Sequence, residues 1–330
     1  MNKERCELCN RILNPEIALG GADFARFGQI CRKCLEDLRS RDEYAYDEHG
    51  HMLTPEKNNF SFWFPKVEHC GLKVPKSLIF NVPEEIQNRF FLEGEDDYEV
   101  IDNWLKVSVL PALKEADMHL LFVKNATFSN KFLATSCMAT QHTLLDAITS
   151  INYGALMVGA EGLSEFVVRE RIMHNSQSTP CIYHGLPLRS EFRVFYDFTK
   201  HKVIFIENYW NYGYVFPNLH DATDKIVFEH ERERLEREFD SRKQEVSELV
   251  ASAMQNVEGF EGPWSVDIML EGNTYYLIDM ALAETSAYWT NRPGYERVHA
   301  RELEVRNRRR QQLRPAAVTK LDPAIVELLE

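Results

Sequence analysis

From residue 76 onward, apolar positions switch repeatedly between a strand period of two and a helical period of 3.6. Ser77 to Val82 reads as a strand, and Pro83 followed by Glu84 to Phe91 reads as a short helix. Val100 to Lys114 has helical spacing but contains Pro111, which predicts a break there. Leu120-Leu-Phe-Val-Lys124 is a buried strand ending on a lysine, Thr143 to Ile151 a helix, and Glu165 to Ile172 a strand. Ser190 to Tyr196 and Lys202 to Glu207 form a hairpin around Phe198-Thr-Lys-His201. Leu235, Phe239, Val246, Leu249, Val250 and Met254 mark one long helix over 229 to about 257. The pattern predicts an α+β fold without internal repeats. Residues 46–75, with Pro55, Pro65 and Pro75, read as an irregular lead-in whose aromatic run Phe60 to Phe64 packs onto the domain that follows.

After the long helix, Trp264 to Asp279 reads as two strands around Glu271-Gly272-Asn273. Asp267 lies six residues before Asn273 and Asp279 six after it, so an antiparallel pair sets them roughly opposite on one face. Two facing carboxylates repel, and a fold tolerates them mainly when a cation sits between. Oxygen ligands suit Mg²⁺, which commonly also holds phosphates. The plainer alternative is a surface hairpin with two solvated aspartates.

Composition narrows the classes. The chain has 330 residues, 44% of them hydrophobic, and no apolar run nears the ~18 residues of a membrane span. The start, Met-Asn-Lys-Glu-Arg-Cys, has no hydrophobic signal region, so a cytoplasmic protein is expected. A net charge of −13 opposes wholesale binding to a nucleic-acid backbone. Cys6-Glu-Leu-Cys9 and Cys31-Arg-Lys-Cys34 can place four thiolates on one structural Zn²⁺, defining a zinc unit over residues 1–45. So small a segment would draw much of its folding free energy from the metal. His49-Gly50-His51 reads as a solvated loop. The Arg-rich stretch 296–314 is interleaved with Glu and reads as a solvated helix within a charged tail, 291–330, with contact to RNA phosphates or an acidic partner as the alternative.

Several charged side chains fall at strand ends. Lys124 can reach phosphates as a flexible point charge. Arg169 and Glu170 end a strand whose main chain can meet a base edge. Arg193 shares a face with Glu191, opposite Phe192 and Val194, and an inward Arg needs an anion. Each alone is explained by a structural ion pair. Their order along the chain is harder to explain that way.

That order resembles the ATP-grasp superfamily, and within it the cell division cycle protein 123 type. Four stretches carry the likeness: Leu121 to Lys131, Phe166 to Arg171, Leu188 to Phe195 with Phe205 to Trp210, and Val266 to Leu270 with Leu277 to Ala281. The Glu-Phe-Arg block at 191–193 is the most specific of them, and the zinc knuckles are not part of the family pattern. The resemblance spans about residues 76 to 290 and implies two α+β subdomains clasping a nucleotide. It implies that Lys124 holds ATP phosphates, that Arg169 and Glu170 line the adenine and ribose side, and that Glu191 and Arg193 belong to the nucleotide site, with Arg193 on the triphosphate. It implies Asp267 and Asp279 as Mg²⁺ ligands. The family usually has Asn two residues after the second acid. Here that residue is Ala281, with Glu284 as a substitute ligand or the second metal lost.

Three functions follow as expectations. The first is a carboxylate–amine or carboxylate–thiol ligase acting through an acyl phosphate, with Arg193 and Lys124 as catalytic groups. The second is an ATP-binding assembly chaperone for a translation-related protein. The third is a zinc-knuckle RNA binder. A lysyl-adenylate ligase is disfavoured, because Lys124-Asn-Ala-Thr127 lacks the Lys-x-Asp-Gly motif that chemistry expects.

Overall fold

The structure is a computed structural model and describes residues 45–46, 52–53, 56–90, 94–157, 164–173 and 179–295. Cys6, Cys9, Cys31, Cys34, the His49/His51 pair and the Arg-rich stretch lie outside the described residues. Residues 1–286 form one unit and residues 287–330 another.

The first unit contains two four-stranded sheets, and every strand pair in them is antiparallel. It opens with a two-residue ladder, β1 (Ala45–Tyr46) with β2 (Met52–Leu53), and helix α1 (Phe60–Val67). The first sheet has the order β3-β6-β4-β5, from Ser77–Asn81, Glu165–Glu170, Leu120–Asn125 and Met138–Thr140. Its outer face carries α2 (Glu84–Arg89), α3 (Glu95–Trp104), α4 (Leu110–Glu115) and α6 (Leu144–Met157), with the one-turn α5 (Ala134–Cys137) preceding β5. Leu121, Val123, Phe166 and Val168 from this sheet interlock with Ile101, Leu113 and Ile148 from the helices.

The short ribbon β7 (Cys181–Ile182) and β8 (Leu186–Pro187) leads to the second sheet. Its order is β10-β9-β11-β12, from Lys202–Asn208, Glu191–Asp197, Pro263–Glu271 and Thr274–Leu282. Helix α7 (Tyr212–Asn218) and the 33-residue α8 (Ala222–Met254) follow β10. Phe192, Val194, Val266 and Ile268 share a core with Val246, Val250 and Met254 of α8. The other face of this sheet turns to the cleft described below. The α+β expectation is met, with two sheet-and-helix halves in one unit.

Three differences from the sequence-based expectations have clear causes. The lead-in is not irregular throughout. Phe60, Trp63, Phe64 and Val67 follow a helical stripe, all four are buried, and they form α1 despite Pro65 near its end. Phe62 of this helix stacks on Trp264 with centroids 6.1 Å apart, so the aromatic run packs on the second sheet as its composition suggested. The second difference lies before Pro111, where the helix widens into a π-helical segment, Leu105–Val109, before resuming as α4. A proline cannot donate to the carbonyl four residues back and its ring crowds that carbonyl, so the strain is absorbed upstream. The long helix starts at Ala222, seven residues before the predicted 229, because the Asp221 carboxylate caps it by accepting from the Thr223 and Asp224 N–H groups (2.6 and 3.1 Å).

In the second unit, the described residues include a 3₁₀ turn, Trp289–Asn291, and the Arg292 guanidinium lies 4.4 Å from the Trp289 ring centroid and 4.3 Å from that of Tyr295. Among the described residues no helix is long and apolar enough to cross a membrane.

Candidate functional site

The hairpin of β11 and β12 makes the floor of a cleft between the sheets. Glu271 pairs with Thr274, so its turn is the two residues Gly272 and Asn273, with Gly272 at φ 60°. A regular hairpin from that turn would pair Asp267 with Ile278 and send Asp279 to the helix-covered face. A β-bulge between Asp267 and Ile268 changes the count: Ile268 pairs with Leu277, and Asp267 pairs with Asp279. Ile278 is the extra residue. The bulge therefore brings the two carboxylates opposite each other on the cleft face, while Leu277 and Met280 return to the core.

The neighbouring strands supply the counter-charges. Arg193 on β9 pairs in register with Asp267 and with Glu207 on β10, so Glu207, Arg193, Asp267 and Asp279 form one row across the sheet. Arg193 grips Asp267 bidentately, Nε to Oδ1 at 2.8 Å and Nη2 to Oδ2 at 2.7 Å. Burial opposes charge on that guanidinium, but Asp267 outweighs it and holds its pKa above the ordinary value. Asp267 is only 4% exposed.

Lys124, at 3% exposure the most buried lysine described, reaches across from β4 to donate to Asp279 Oδ1 at 3.0 Å. The Met280 N–H donates to the same oxygen at 3.1 Å. Burial pushes the Asp279 carboxyl up, but Lys124, with help from Arg169 and Lys131, more than reverses this and leaves its pKa lowered. The Asp279 side chain keeps 45% exposure, and its Oδ2 has no partner among the described residues.

Arg169 enters from β6 on the same side. It is 4% exposed, donates from Nε to Ser77 Oγ at 3.2 Å and from Nη1 to the Ile278 carbonyl, and lies 5.1 Å from the Phe60 ring. Its Nη2 is buried with no hydrogen-bond partner. Burial lowers its pKa to about 10, and Asp279 offsets that only in part. Glu170 is exposed at the end of the strand. Its N–H donates to the Lys76 carbonyl (2.7 Å), and the next N–H, of Arg171, donates to the Leu120 carbonyl (2.9 Å). The main-chain donors at this end are thus already engaged.

Lys124, Arg169, Glu170, Glu191, Asp267 and Asp279 all line the cleft, and Arg193 sits behind Asp267. Glu284 is exposed in the turn after β12 and is not among the cleft-lining residues. No group of three or more His, Cys, Asp or Glu disposed around one metal occurs among the described residues.

Two cleft residues, Lys131 and Arg189, carry no expectation from the sequence, and Lys131 pairs with the expected Glu191. Lys131, on the segment after β4, lies 3.5 Å from Glu191 and 3.9 Å from the Tyr209 ring centroid. Burial pulls its ammonium down, but Glu191, Tyr209 and Asp267 together hold its pKa above the ordinary value. Glu191 has weaker support: burial pushes its carboxyl up, Asp267 adds to that, and Lys131 offsets them only in part. Arg189 donates to Glu271 (2.5 Å) and to the Ile172 carbonyl (2.9 Å), joining the two halves at the cleft rim. Lys131 and Arg189 fall inside the stretches quoted for the family likeness, but no periodicity marks a loop lysine or a pre-strand arginine as facing inward.

The cleft chemistry is that of a polyanion site. Lysine and arginine donors line one side, and two adjacent carboxylates, one half open, lie opposite. The residues fit Mg²⁺ with phosphates by the chemistry of the donor set: the half-exposed Asp279 carboxylate stands opposite Asp267, with the Lys124 ammonium beside it.

No protein-family model matches the chain, and no curated protein matches it. Among solved structures, it is similar to Cdc123 from Schizosaccharomyces pombe at 14% identity and a TM-score of 0.46, covering 75% of this chain and 93% of that one. It is similar to a RimK domain protein ATP-grasp from Sphaerobacter thermophilus at 10% identity and a TM-score of 0.30, over 68% of this chain and 59% of that one. It is also similar to the D-alanine–D-alanine ligase from Helicobacter pylori at 10% identity and a TM-score of 0.34, over 68% and 51%.

Proposed function

We propose that this protein binds Mg²⁺–ATP in the cleft and uses it to activate a carboxylate for attack by an amine or thiol. The observation that carries the reading is the bulge-enforced pairing of Asp267 with Asp279, held between Lys124 and Arg193. Mg²⁺, when bound, would neutralise charge on the phosphates. Asp279 Oδ2 would meet it directly, and Asp267 would use lone pairs left beside its Arg193 contacts. Lys124 would exchange part of its contact with Asp279 for phosphate oxygens. Arg193 would stabilise charge on the transferring phosphoryl group. A substrate carboxylate oxygen bonds to the γ-phosphorus as the bond to ADP breaks. The amine or thiol then attacks the acyl carbon, phosphate leaves, and the nucleophile gives up its proton. No covalent nucleophile from the chain is needed.

A second reading, ATP binding without turnover by an assembly chaperone for a translation-related protein, is favoured by one specific feature. Ala281 offers no ligand and Glu284 is not gathered into the site, so the carboxylate set is short for two metals.

The test is calorimetric titration of Mg²⁺–ATP into the wild-type chain and Asp267→Asn, then an ADP-release screen across amino acids, peptides and thiols. Micromolar binding, about −8 kcal/mol, that is weakened in Asp267→Asn supports the site. Acceptor-dependent ADP supports the ligase, whereas binding with no ADP above background supports the assembly reading. No binding by the wild type sinks both.

The four cysteines at 6, 9, 31 and 34 are proposed to hold one structural Zn²⁺. Elemental analysis should find about one zinc per chain, lost in Cys31→Ser. Zinc retained in that variant would reject the four-thiolate site.

A further inference from the structure

We infer that Arg169 is the positioning residue that sets how Asp279 is presented to a divalent cation, acting through the bulge carbonyl of Ile278. The inference rests on the Mg²⁺–nucleotide reading above but gives Arg169 a different task from lining the base and ribose. Its guanidinium starts on β6 in the first sheet and ends on β12 in the second. The acceptor it finds there is the carbonyl of the one unpaired residue of the bulge.

The bulge decides the site. Without it, alternation would turn the Asp279 side chain to the face where Leu277, Met280 and Val266 pack. A bulge leaves ladder groups without a partner strand, and an unpaired carbonyl beside a core must be satisfied some other way. Arg169 satisfies it. Arg169 is itself oriented by Ser77 Oγ on β3 and by the Phe60 ring. A second connection braces the same spot: Lys73 bridges Tyr276, and the Lys73 carbonyl accepts from the Leu277 N–H at 2.9 Å. The bulge residue therefore lies between a main-chain tie at Leu277 and a side-chain tie at its own carbonyl, and Asp279 is the next residue along. Partners that orient a metal ligand commonly alter metal affinity by about 10- to 100-fold when removed.

The experiment compares ATP affinity with excess Mg²⁺ and with EDTA in the full-length wild type, Arg169→Lys and Ser77→Ala, with thermal melting as a check on folding. Lysine keeps the charge but cannot span Ser77 and Ile278 together. Arg169→Lys is expected to reduce the Mg²⁺-dependent gain in affinity by about tenfold or more, while affinity in EDTA changes by less than about threefold. Ser77→Ala, which leaves the cleft surface untouched, should move the gain the same way by a smaller factor. Equal losses with and without Mg²⁺ would make Arg169 a direct nucleotide contact and overturn the inference. An unchanged gain in both variants would overturn it alone, with the nucleotide site intact. A wild type that binds no nucleotide would overturn the inference together with the reading it rests on.

Discussion

Lys124→Ala will lower Mg²⁺–ATP affinity by roughly 30- to 150-fold, the equivalent of about 2–3 kcal/mol for a charge-assisted contact in a closed site. The lysine is 3% exposed and donates directly to Asp279 at 3.0 Å. Its loss removes a phosphate contact and also the counter-charge of a carboxylate that would face the polyphosphate. The acid limb of stability should shift as well. Lys124 is the main reason the folded Asp279 pKa lies below its ordinary value of 3.8. A depressed carboxylate stabilises the fold above its unfolded pKa, and that contribution disappears as pH falls through the folded value. In the variant this contribution shrinks, so the difference in stability between wild type and variant should narrow as pH falls below about 3.8. Calorimetric titration and urea melts across pH 2–7 check both. A Lys124→Ala protein that binds Mg²⁺–ATP within threefold of wild type would remove Lys124 from the site.

Arg193→Ala will cost the fold about 3–5 kcal/mol, which corresponds to a Tm lower by roughly 10 °C. The bidentate contact satisfies both oxygens of a carboxylate that is almost fully buried between strands β9 and β12. Removing only the cation leaves that charge uncompensated, and the dominant cost is the stranded Asp267 rather than the lost attraction. The double variant Arg193→Leu with Asp267→Leu should recover most of the loss, since a packed apolar pair can replace a buried ion pair. It should recover no Mg²⁺–ATP binding. Differential scanning calorimetry with the binding assay separates these outcomes. A single variant as stable as wild type would mean that Asp267 finds another partner.

Most strands of the fold could be read from the chain because each is an apolar run bounded by turn residues. Ser190 to Tyr196 and Lys202 to Glu207 carry their alternation openly, and β9 and β10 form within a residue of those limits. The α1 stripe is equally present, but Pro55, Pro65 and Pro75 nearby signal against a helix at the local level. Short elements such as α5, β5 and the β7–β8 ribbon carry too few residues for any period to register.

By itself, the sequence determined that Asp267, Asp279, Arg193 and Lys124 stand on strands as inward-capable charges. It also determined that Arg193 and Glu191 share a face, because side-chain alternation along a strand is a local property. It predicted the two aspartates to be opposed, although a regular two-residue turn would have set them on different faces. Only the tertiary structure decided that a bulge at Ile278 restores the pairing, because the stability of a bulge depends on what satisfies its freed carbonyl. That partner, Arg169, lies more than a hundred residues away on the other sheet. Tertiary packing alone also gave Arg193 to Asp267, Lys124 to Asp279 and Lys131 to Glu191. Ion pairs across a cleft depend on distance and burial between strands remote in sequence, and neither quantity is written in local pattern.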